Sequence, residues 1–240
     1  ETPRAASGTA VSPGLVKAAL AVEKYALPWA YIFLALLRVD ALVDHYDAWR
    51  WTADGAFAPL VKDALLILLM LFTAVALFFS RPPVAVPDKL DQVLIPIAMS
   101  YYFFLYGLVD RLPAALHANL IPPAMQGSAA FAGFAVSIAG YAIAIWALCH
   151  LGRSFAILVA VRKVVTTGPY ARVRHPIYLG YVFDLCGLLL ASGSVAMLAL
   201  GAGFLALLRL RARLEEEKLA GADAGYREYV ARTGFLFPRF

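Results

Sequence analysis

The stretch "PIYLGYVFDLCGLLLASGSVAMLALGAGFLALLRL", residues 176–210, is apolar throughout, and Asp184 is its one charge before the arginine near its end. As a single straight helix it would measure about 52 Å at 1.5 Å per residue. The hydrocarbon core of a bilayer is only about 30 Å thick. Because the SGS sequence at 192–194 offers a break, we predict a helical hairpin. One leg runs from Pro176 to about Ala191, and the other from Val195 to about Leu210.

The composition of the whole chain supports a membrane location. Of its 240 residues 62% are hydrophobic, and the mean hydropathy is +0.74, whereas soluble domains are about 45–50% apolar. We therefore predict an all-α integral membrane protein with about six transmembrane helices, the last two being the hairpin. The four preceding spans are predicted at Ala26–Val43, Ala64–Phe79, Gln92–Val109 and Ala124–Cys149.

Loop charges predict the orientation. The segment 150–175 carries five basic residues and no acid, and the tail after Leu208 carries seven basic residues. Loops rich in Lys and Arg stay in the cytoplasm, and a hairpin of two crossings leaves both segments there. Counting back predicts six crossings with both termini in the cytoplasm. The net charge of +5 is then explained by cytoplasmic loops, so no nucleic-acid partner is expected. The two cysteines, Cys149 and Cys186, have neither a disulfide nor a metal-ligand pattern.

The sequence "GPYARVRHPIYLG", residues 168–180, leads into the hairpin. Gly168-Pro169 marks a turn, and Pro176 suits the first position of a helix. Arg174 and His175 would then lie just ahead of a helix N-terminus, with its free N–H groups and positive dipole end. This arrangement predicts an anion site at the cytoplasmic membrane surface. The residues leave open whether the anion is a ligand carboxylate or a lipid phosphate.

A cluster of acids ends the hairpin in "RLRARLEEEKL", residues 209–219. If the hairpin returns to its starting side, these carboxylates come close to Arg174 and His175, and the combination suits a zwitterionic ligand. The alternative is an exposed helix end with Arg211–Glu215 and Arg213–Glu217 pairs at i,i+4 spacing, each worth little.

These motifs match a known family. "LGRSF…VVTTGPYARVRHPIYLG…EEEKL…YREY…FP" resembles the isoprenylcysteine carboxyl methyltransferase and phospholipid methyltransferase superfamily of integral membrane enzymes. The resemblance spans about Leu151–Pro238, although Phe155 stands where many members have tryptophan. The matching positions are Gly168, Pro169, Tyr170, Arg174, His175, Pro176, Tyr178 and Gly180.

The resemblance implies a membrane methyltransferase that takes its methyl group from S-adenosylmethionine. The implied acceptor is a lipophilic carboxylate, thiol or amine at the cytoplasmic membrane face, and no metal is implied. Three units follow: a partly disordered segment 1–24, four helices over 25–149, and a methyltransferase core over 150–240 with the cofactor loop, the hairpin and a C-terminal helix.

The resemblance also implies roles for individual residues. Arg174 and His175 would hold the donor's carboxylate, and Glu216 or Glu217 would bind its ribose hydroxyls or amino group. Tyr170 and Tyr178 would offer rings to the adenine or the sulfonium. The predicted cofactor residues are Gly168, Pro169, Tyr170, Arg174, His175, Pro176, Tyr178, Glu216 and Glu217. The candidates for catalysis are Arg174, His175 and Asp184.

Two other functions fit parts of the sequence. Sterol reductases resemble this superfamily at their C-terminal ends, but they are longer and use a nicotinamide cofactor. A small transporter or accessory membrane protein would use Asp184, Arg38 and Asp40 as a charge pathway, but would not need a ligand site outside the spans. The G-x-G-x-x-A pattern at Gly201, Gly203 and Ala206 follows no strand, and we interpret it as helix packing.

Overall fold

A computed structural model describes residues 9–52, 57–102, 105 and 118–239, and this part of the chain is built mainly of helices. The helices are α1 Pro13–Ala21, α2 Leu27–Leu37, α3 Val39–Thr52, α4 Phe57–Phe78, α5 Asp91–Tyr101, α6 Pro123–Leu151, α7 Pro176–Ser192, α8 Val195–Ala222 and α9 Tyr226–Arg232.

Several helices are suited to a bilayer. Among the described residues, four are long and apolar enough to cross it, namely Pro13–Trp49, Phe57–Phe78, Pro123–Ser154 and Val195–Ala222. The apolar helix α7 is shorter. The chain is thus an integral membrane protein with several apolar helices.

The predicted hairpin is present. Helix α7 ends at Ser192, where Gly193 takes a left-handed conformation with φ 58°, which glycine adopts at low cost. Ser194 then caps α8, because its side chain accepts a hydrogen bond of 3.1 Å from the N–H of Met197. Helix α8 continues past the predicted end at Leu210, and at 28 residues it is about 42 Å long. The three consecutive glutamates therefore lie on this same helix.

Helices α6 and α7 are in backbone contact, through glycines spaced seven residues apart on each helix. A Cβ atom at Gly140 would lie 2.6 Å from the carbonyl oxygen of Gly180, and one at Gly133 would lie 2.8 Å from the N–H nitrogen of Ala191. Small residues allow the two backbones to approach closely, which increases van der Waals contact between the helices. This contact matters in a bilayer, because the hydrophobic effect does not drive helices together there. The antiparallel helices α6 and α7 are therefore packed backbone against backbone.

The first span differs most from prediction. Its helix begins at Pro13, inside the segment 1–24, and Ser12 caps the first turn. A π-helical turn at Val22–Ala26 continues it into α2. The helix is interrupted at Arg38, whose guanidinium donates a 3.2 Å hydrogen bond to Asp63 of α4. This pair explains how charges are tolerated within the predicted first span, while Asp40 is exposed.

Other spans keep their predicted places with shifted ends. Helix α4 begins earlier than Ala64, and α6 is slightly longer than Ala124–Cys149. Of the predicted third span, α5 covers Asp91–Tyr101, and most of the remainder to Val109 lies outside the described residues. Residues 1–8 lie outside them too. Both cysteines are free and exposed. Gly201 and Gly203 lie inside α8, close to the side chains of Leu185 and Tyr102, as expected for packing positions.

Candidate active site

One large cavity, of about 670 Å³, runs from the start of α7 into the helical bundle. Its walls come from helix α2, from helices α4 to α9 and from the segment that follows α6. The outer end, which we call the lip, is polar and is lined by Tyr170, Arg174, His175, Arg211, Glu215, Lys218, Tyr226 and Tyr229. The inner wall is mostly apolar and includes Leu66, Leu69, Met70 and Leu188. A single cavity therefore joins a charged surface to the depth of the membrane-spanning helices.

Glu215 is the carboxylate that faces the lip. Its Oε1 accepts a 2.6 Å hydrogen bond from the Tyr178 hydroxyl and one of 2.9 Å from Nε of Arg211. Its Oε2 lies 3.9 Å from Nδ1 of His175, which is too long for a hydrogen bond. One carboxylate oxygen is therefore anchored by the protein, and the other is only loosely engaged.

Glu216 joins the start of α7 to the end of α8. Its Oε1 accepts a 2.6 Å hydrogen bond from Nε of Arg174 and lies 3.2 Å from Nε2 of His175. Arg174 also donates to the carbonyl oxygens of Thr233, at 2.6 Å, and Val230, at 3.2 Å. The return of the hairpin thus brings the predicted basic and acidic motifs together. Arg174 is thus engaged by protein oxygens, and its predicted part in donor binding stays a prediction.

The three consecutive glutamates face different directions from α8. Glu217 is exposed and does not line the cavity, whereas Glu215, which we did not select, does. Residues two apart on a helix point about 200° away from each other. Once Glu215 faces inward, Glu217 must therefore face outward.

Residues 234–236 of the C-terminal segment pack over the lip. The N–H of Arg174 donates to the carbonyl of Gly234 at 2.9 Å, and that of His175 to the carbonyl of Phe235 at 3.2 Å. The imidazole of His175 lies between two rings, parallel to Tyr178 and edge-on to Phe235, each with centroids 5.0 Å apart. His175 is buried, so its orientation is fixed by stacking.

Two tyrosines near the lip have no tendency to ionise at neutral pH. Burial raises the pKa of Tyr229 to about 12, and burial also raises the pKa of Tyr170 well above its usual value. The Tyr229 hydroxyl donates a 2.8 Å hydrogen bond to the carbonyl of Tyr170. These phenols act as rings and hydrogen-bond donors, not as bases.

The remaining predicted cofactor residues shape the lip without lining it. Gly168 has φ 60°, and its Cα approaches the ring of His150 so closely that a side chain would overlap it. Pro169 and Pro176 are buried and fix the turn and the helix start. None of the three is among the residues that line the cavity.

Asp184, a predicted catalytic residue, lies deeper. It is eight residues beyond Pro176 on α7, or about 12 Å along the helix. It lines the inner part of the same cavity, and its Oδ2 accepts a 3.0 Å hydrogen bond from Tyr141. This depth separates it from the lip, and its predicted catalytic role stays a prediction.

Sequence reasoning missed Glu23, the buried acid of the π-helical turn. It accepts hydrogen bonds from the N–H groups of Ile157, at 2.6 Å, and Leu158, at 2.9 Å, and from Arg162 at 3.0 Å. The sequence signal was a lone acid beside an apolar helix. Glu23 shapes the wall because it fixes the segment after α6, which lines the cavity.

The helical fold and the cavity, which has a charged lip and an apolar interior, together define a class of protein. The chain is an integral membrane protein with a binding site at the membrane surface. The model of the isoprenylcysteine carboxyl methyltransferase (ICMT) family matches residues 133–221. This range covers α7, most of α6 and α8, and the segments between them. The predicted resemblance to this superfamily is confirmed over that range.

Two individual proteins are also similar. The cobalt-zinc-cadmium resistance protein CzcN of Cupriavidus metallidurans is 35% identical over 97 residues, which are 38% of this chain and 45% of that protein. The chain thus aligns with less than half the length of this curated relative. The solved structure of the eukaryotic intramembrane Ras methyltransferase ICMT, without a monobody, is similar over 95% of this chain and 98% of that chain. The TM-score is 0.42 and the sequence identity 16%.

Proposed function

We propose that this protein transfers a methyl group from S-adenosylmethionine to a lipophilic acceptor at the cytoplasmic face of a membrane. The observation that carries the proposal is the single cavity, because its lip is charged and its inner wall is apolar. A polar donor can enter from water at the lip, and an acceptor with an apolar tail can enter from the bilayer. The donor then does not have to enter the bilayer, and the apolar tail of the acceptor does not have to enter water.

The chemistry of the lip fits a zwitterionic donor. The loosely engaged Oε2 of Glu215 can accept a hydrogen bond from an ammonium or a ribose hydroxyl. Lys218 lines the same lip and forms a 2.9 Å ion pair with the exposed Asp88, so a donor carboxylate would take the place of Asp88 as its partner. The rings of Tyr226 and Tyr229 lie there too and suit an adenine or a sulfonium. We therefore assign donor binding to Glu215, Lys218 and these tyrosines.

Arg174, His175 and Glu216 act as positioning residues in this proposal. Their hydrogen bonds lock the start of α7 to the end of α8, and the carbonyls of Val230 and Thr233 hold Arg174 in place. S-adenosylmethionine supplies an electrophilic methyl group that is transferred by in-line displacement. The residues of the chain contribute alignment and exclusion of water, which can supply most of the rate. A carboxylate acceptor needs no base for this step.

The surface around the lip favours a cytoplasmic location. Arg153, Lys163, Arg172, Arg209 and Arg213 are all exposed on the segments that flank the cavity mouth. Such basic clusters stay in the cytoplasm and are attracted to anionic lipids. The donor is a cytoplasmic metabolite in this proposal, so the lip and the donor lie on the same side of the membrane.

Calorimetric titration of the purified protein tests donor binding. S-adenosylmethionine should bind and NADPH should not. Glu215→Gln should weaken donor binding by about tenfold to a hundredfold, as expected for the loss of a charge-assisted hydrogen bond worth about 1.5–3 kcal/mol. Glu217→Gln is the matched control on the exposed face and should bind as the unchanged protein does. Equal affinities for the two variants would contradict the assignment, and binding of NADPH would favour a reductase.

A second experiment tests the route of the acceptor. Radiolabelled methyl transfer should favour an acceptor with a lipid-like tail over a water-soluble analogue with the same reactive group. Equal turnover at equal bulk concentration would refute entry from the bilayer.

A further inference from the structure

The inner end of the cavity, beyond its apolar middle, carries a second polar group of residues. Asp184 is only 2% exposed, and it lines the cavity together with Tyr141, Lys62 and Arg38. The carbonyl and carboxylate of Asp184 receive hydrogen bonds from Ser137, at 3.3 Å, and Tyr141, at 3.0 Å. We call Asp184, Tyr141, Lys62 and Arg38 the inner cluster.

The inner cluster is far from the lip. Asp184 lies about 12 Å along α7 from Pro176. Lys62 lies sixteen residues before Phe78 on α4, or about 24 Å along that helix. The Phe78 end is the lip side, because the carbonyl of the adjacent Phe79 accepts a 2.9 Å hydrogen bond from Arg153, in the segment after α6. The donor site and the inner cluster therefore lie at opposite ends of one cavity.

Within the described part of the chain, two buried atoms of the inner cluster have no hydrogen-bond partner. These are Oδ1 of Asp184 and Nε of Arg38. An unsatisfied buried polar group costs about 1–3 kcal/mol, and more when it is charged. A purely hydrocarbon tail reaching this depth would leave Oδ1 of Asp184 desolvated and without a partner. The cluster thus favours a ligand that brings a hydrogen-bonding group of its own.

The charges around Asp184 define that group. Lys62 is a cation that lines the same inner part of the cavity as Asp184, and its ammonium lies over the ring of Phe134 at 5.8 Å. Asp63, which binds both Arg38 at 3.2 Å and His45 at 2.9 Å, balances the guanidinium. A carboxylate beside a nearby cation suits a neutral group that both donates and accepts. A hydroxyl fits, since it can donate to Asp184 and accept from Lys62.

We propose that the inner cluster binds a hydroxyl group of the acceptor, separated by an apolar chain of about 12 Å or more from the atom at the lip. The acceptor is then an amphiphile with polar groups at both ends rather than a simple lipid tail. This inference rests on the proposed function for the identity of the occupant. It adds a specificity site that methyl transfer alone does not require.

The test compares two probes of equal chain length, lauric acid and ω-hydroxylauric acid, by calorimetry with the full-length protein in phosphatidylcholine nanodiscs. Protein-free nanodiscs give the baseline for partition into lipid. The hydroxylated probe should bind about tenfold more tightly, as one hydrogen bond to a charged group predicts. Equal affinities would overturn the proposal, because they would mean that the inner cluster is satisfied by water or by its own residues.

Variants locate the effect. Asp184→Leu should make the two probes bind alike, and Asp40→Leu, a matched change at an exposed acid, should keep the preference for the hydroxylated probe. Tyr141→Phe keeps the ring and provides a milder change if Asp184→Leu lowers the melting temperature; it should reduce the preference. A preference that survives both Asp184→Leu and Tyr141→Phe refutes the assignment. Failure of the proposed function would appear separately, as absent S-adenosylmethionine binding at the lip.

Discussion

The close contact between α6 and α7 gives a prediction whose size follows from the structure. Replacing Gly140 by alanine adds a Cβ atom 2.6 Å from the carbonyl oxygen of Gly180 and 2.8 Å from the backbone nitrogen of Asp184. Ordinary contacts begin at 3.4 Å, so the helices must separate locally by about 0.8 Å. Backbone atoms cannot rotate away as a side chain can, and overpacking of this kind costs about 1–3 kcal/mol.

A matched control lies on the same helix. A Cβ atom at Gly127 would meet nothing within 4 Å, so Gly127→Ala adds the same methyl group without a clash. Both variants gain the same helix propensity, about 0.8–1.0 kcal/mol for glycine to alanine. Subtracting the free energy of unfolding of one variant from that of the other removes the gain in helix propensity. The difference between the two free energies of unfolding should therefore equal the packing cost alone.

Equilibrium unfolding in mixed micelles of increasing SDS content, followed by tryptophan fluorescence, measures this difference. Gly127→Ala should be as stable as the unchanged protein or slightly more stable, and Gly140→Ala should be less stable than Gly127→Ala by about 1–3 kcal/mol. Equal stabilities for the two variants would refute the tight α6–α7 contact. Because Asp184 lies at that contact, Gly140→Ala should also weaken the preference for a hydroxylated probe.

Three further predictions concern other parts of the chain. Glu23→Gln should destabilise the protein by about 3–5 kcal/mol, the cost of breaking a buried ion pair, whereas Glu228→Gln at an exposed position should leave the melting temperature unchanged. The phenol of Tyr229 should titrate near its raised pKa of about 12 rather than 10.0. Its contribution to stability is therefore present below pH 10 and is lost as the pH rises toward 12. The titration is measured as the phenolate absorbance that the unchanged protein shows and Tyr229→Phe lacks. Cysteines introduced at Ser154 and Ala231, in a background without the native cysteines, should both react with an impermeant thiol reagent from the cytoplasmic side.

Each of these predictions has a contrary result. An unchanged melting temperature for Glu23→Gln would mean that the segment after α6 holds its place without this acid. A Tyr229 phenol that ionises at its usual pKa would show that the C-terminal segment does not cover the lip. Labelling of the two introduced cysteines from opposite sides would refute the hairpin.

The hairpin and its site motifs could be predicted from the sequence because they depend on local chemistry. A run of 35 apolar residues is too long for one crossing, and SGS at 192–194 supplies the turn. The basic motif at Arg174 and His175 and the acidic motif at the end of α8 then meet because a two-legged hairpin returns to its starting side. The same reasoning could have found the α6–α7 contact, since the seven-residue glycine spacing is visible in both segments.

Which acid faces the cavity was decided by tertiary structure. Glu215, Glu216 and Glu217 have the same chemistry, and a rotation of α8 by about 100° exchanges neighbours. That rotation is set by packing, because Gly201 faces Leu185 and Arg211 is buried against Tyr178 with its charge 5.6 Å from the ring centroid. Hydropathy describes the chemistry of a residue, but not the direction in which its side chain points from the helix axis.

Contacts between residues that are far apart in the chain could not be predicted from the sequence either. Glu23 binds N–H groups more than 130 residues away, and Asp184 meets Tyr141 across two helices. No spacing rule relates such residues, because their encounter depends on the combined placement of several helices. The sequence by itself determined that the chain enters a membrane and folds back on itself at a charged lip. The tertiary structure determined which carboxylates meet which cations, since burial and direction arise only when the helices pack.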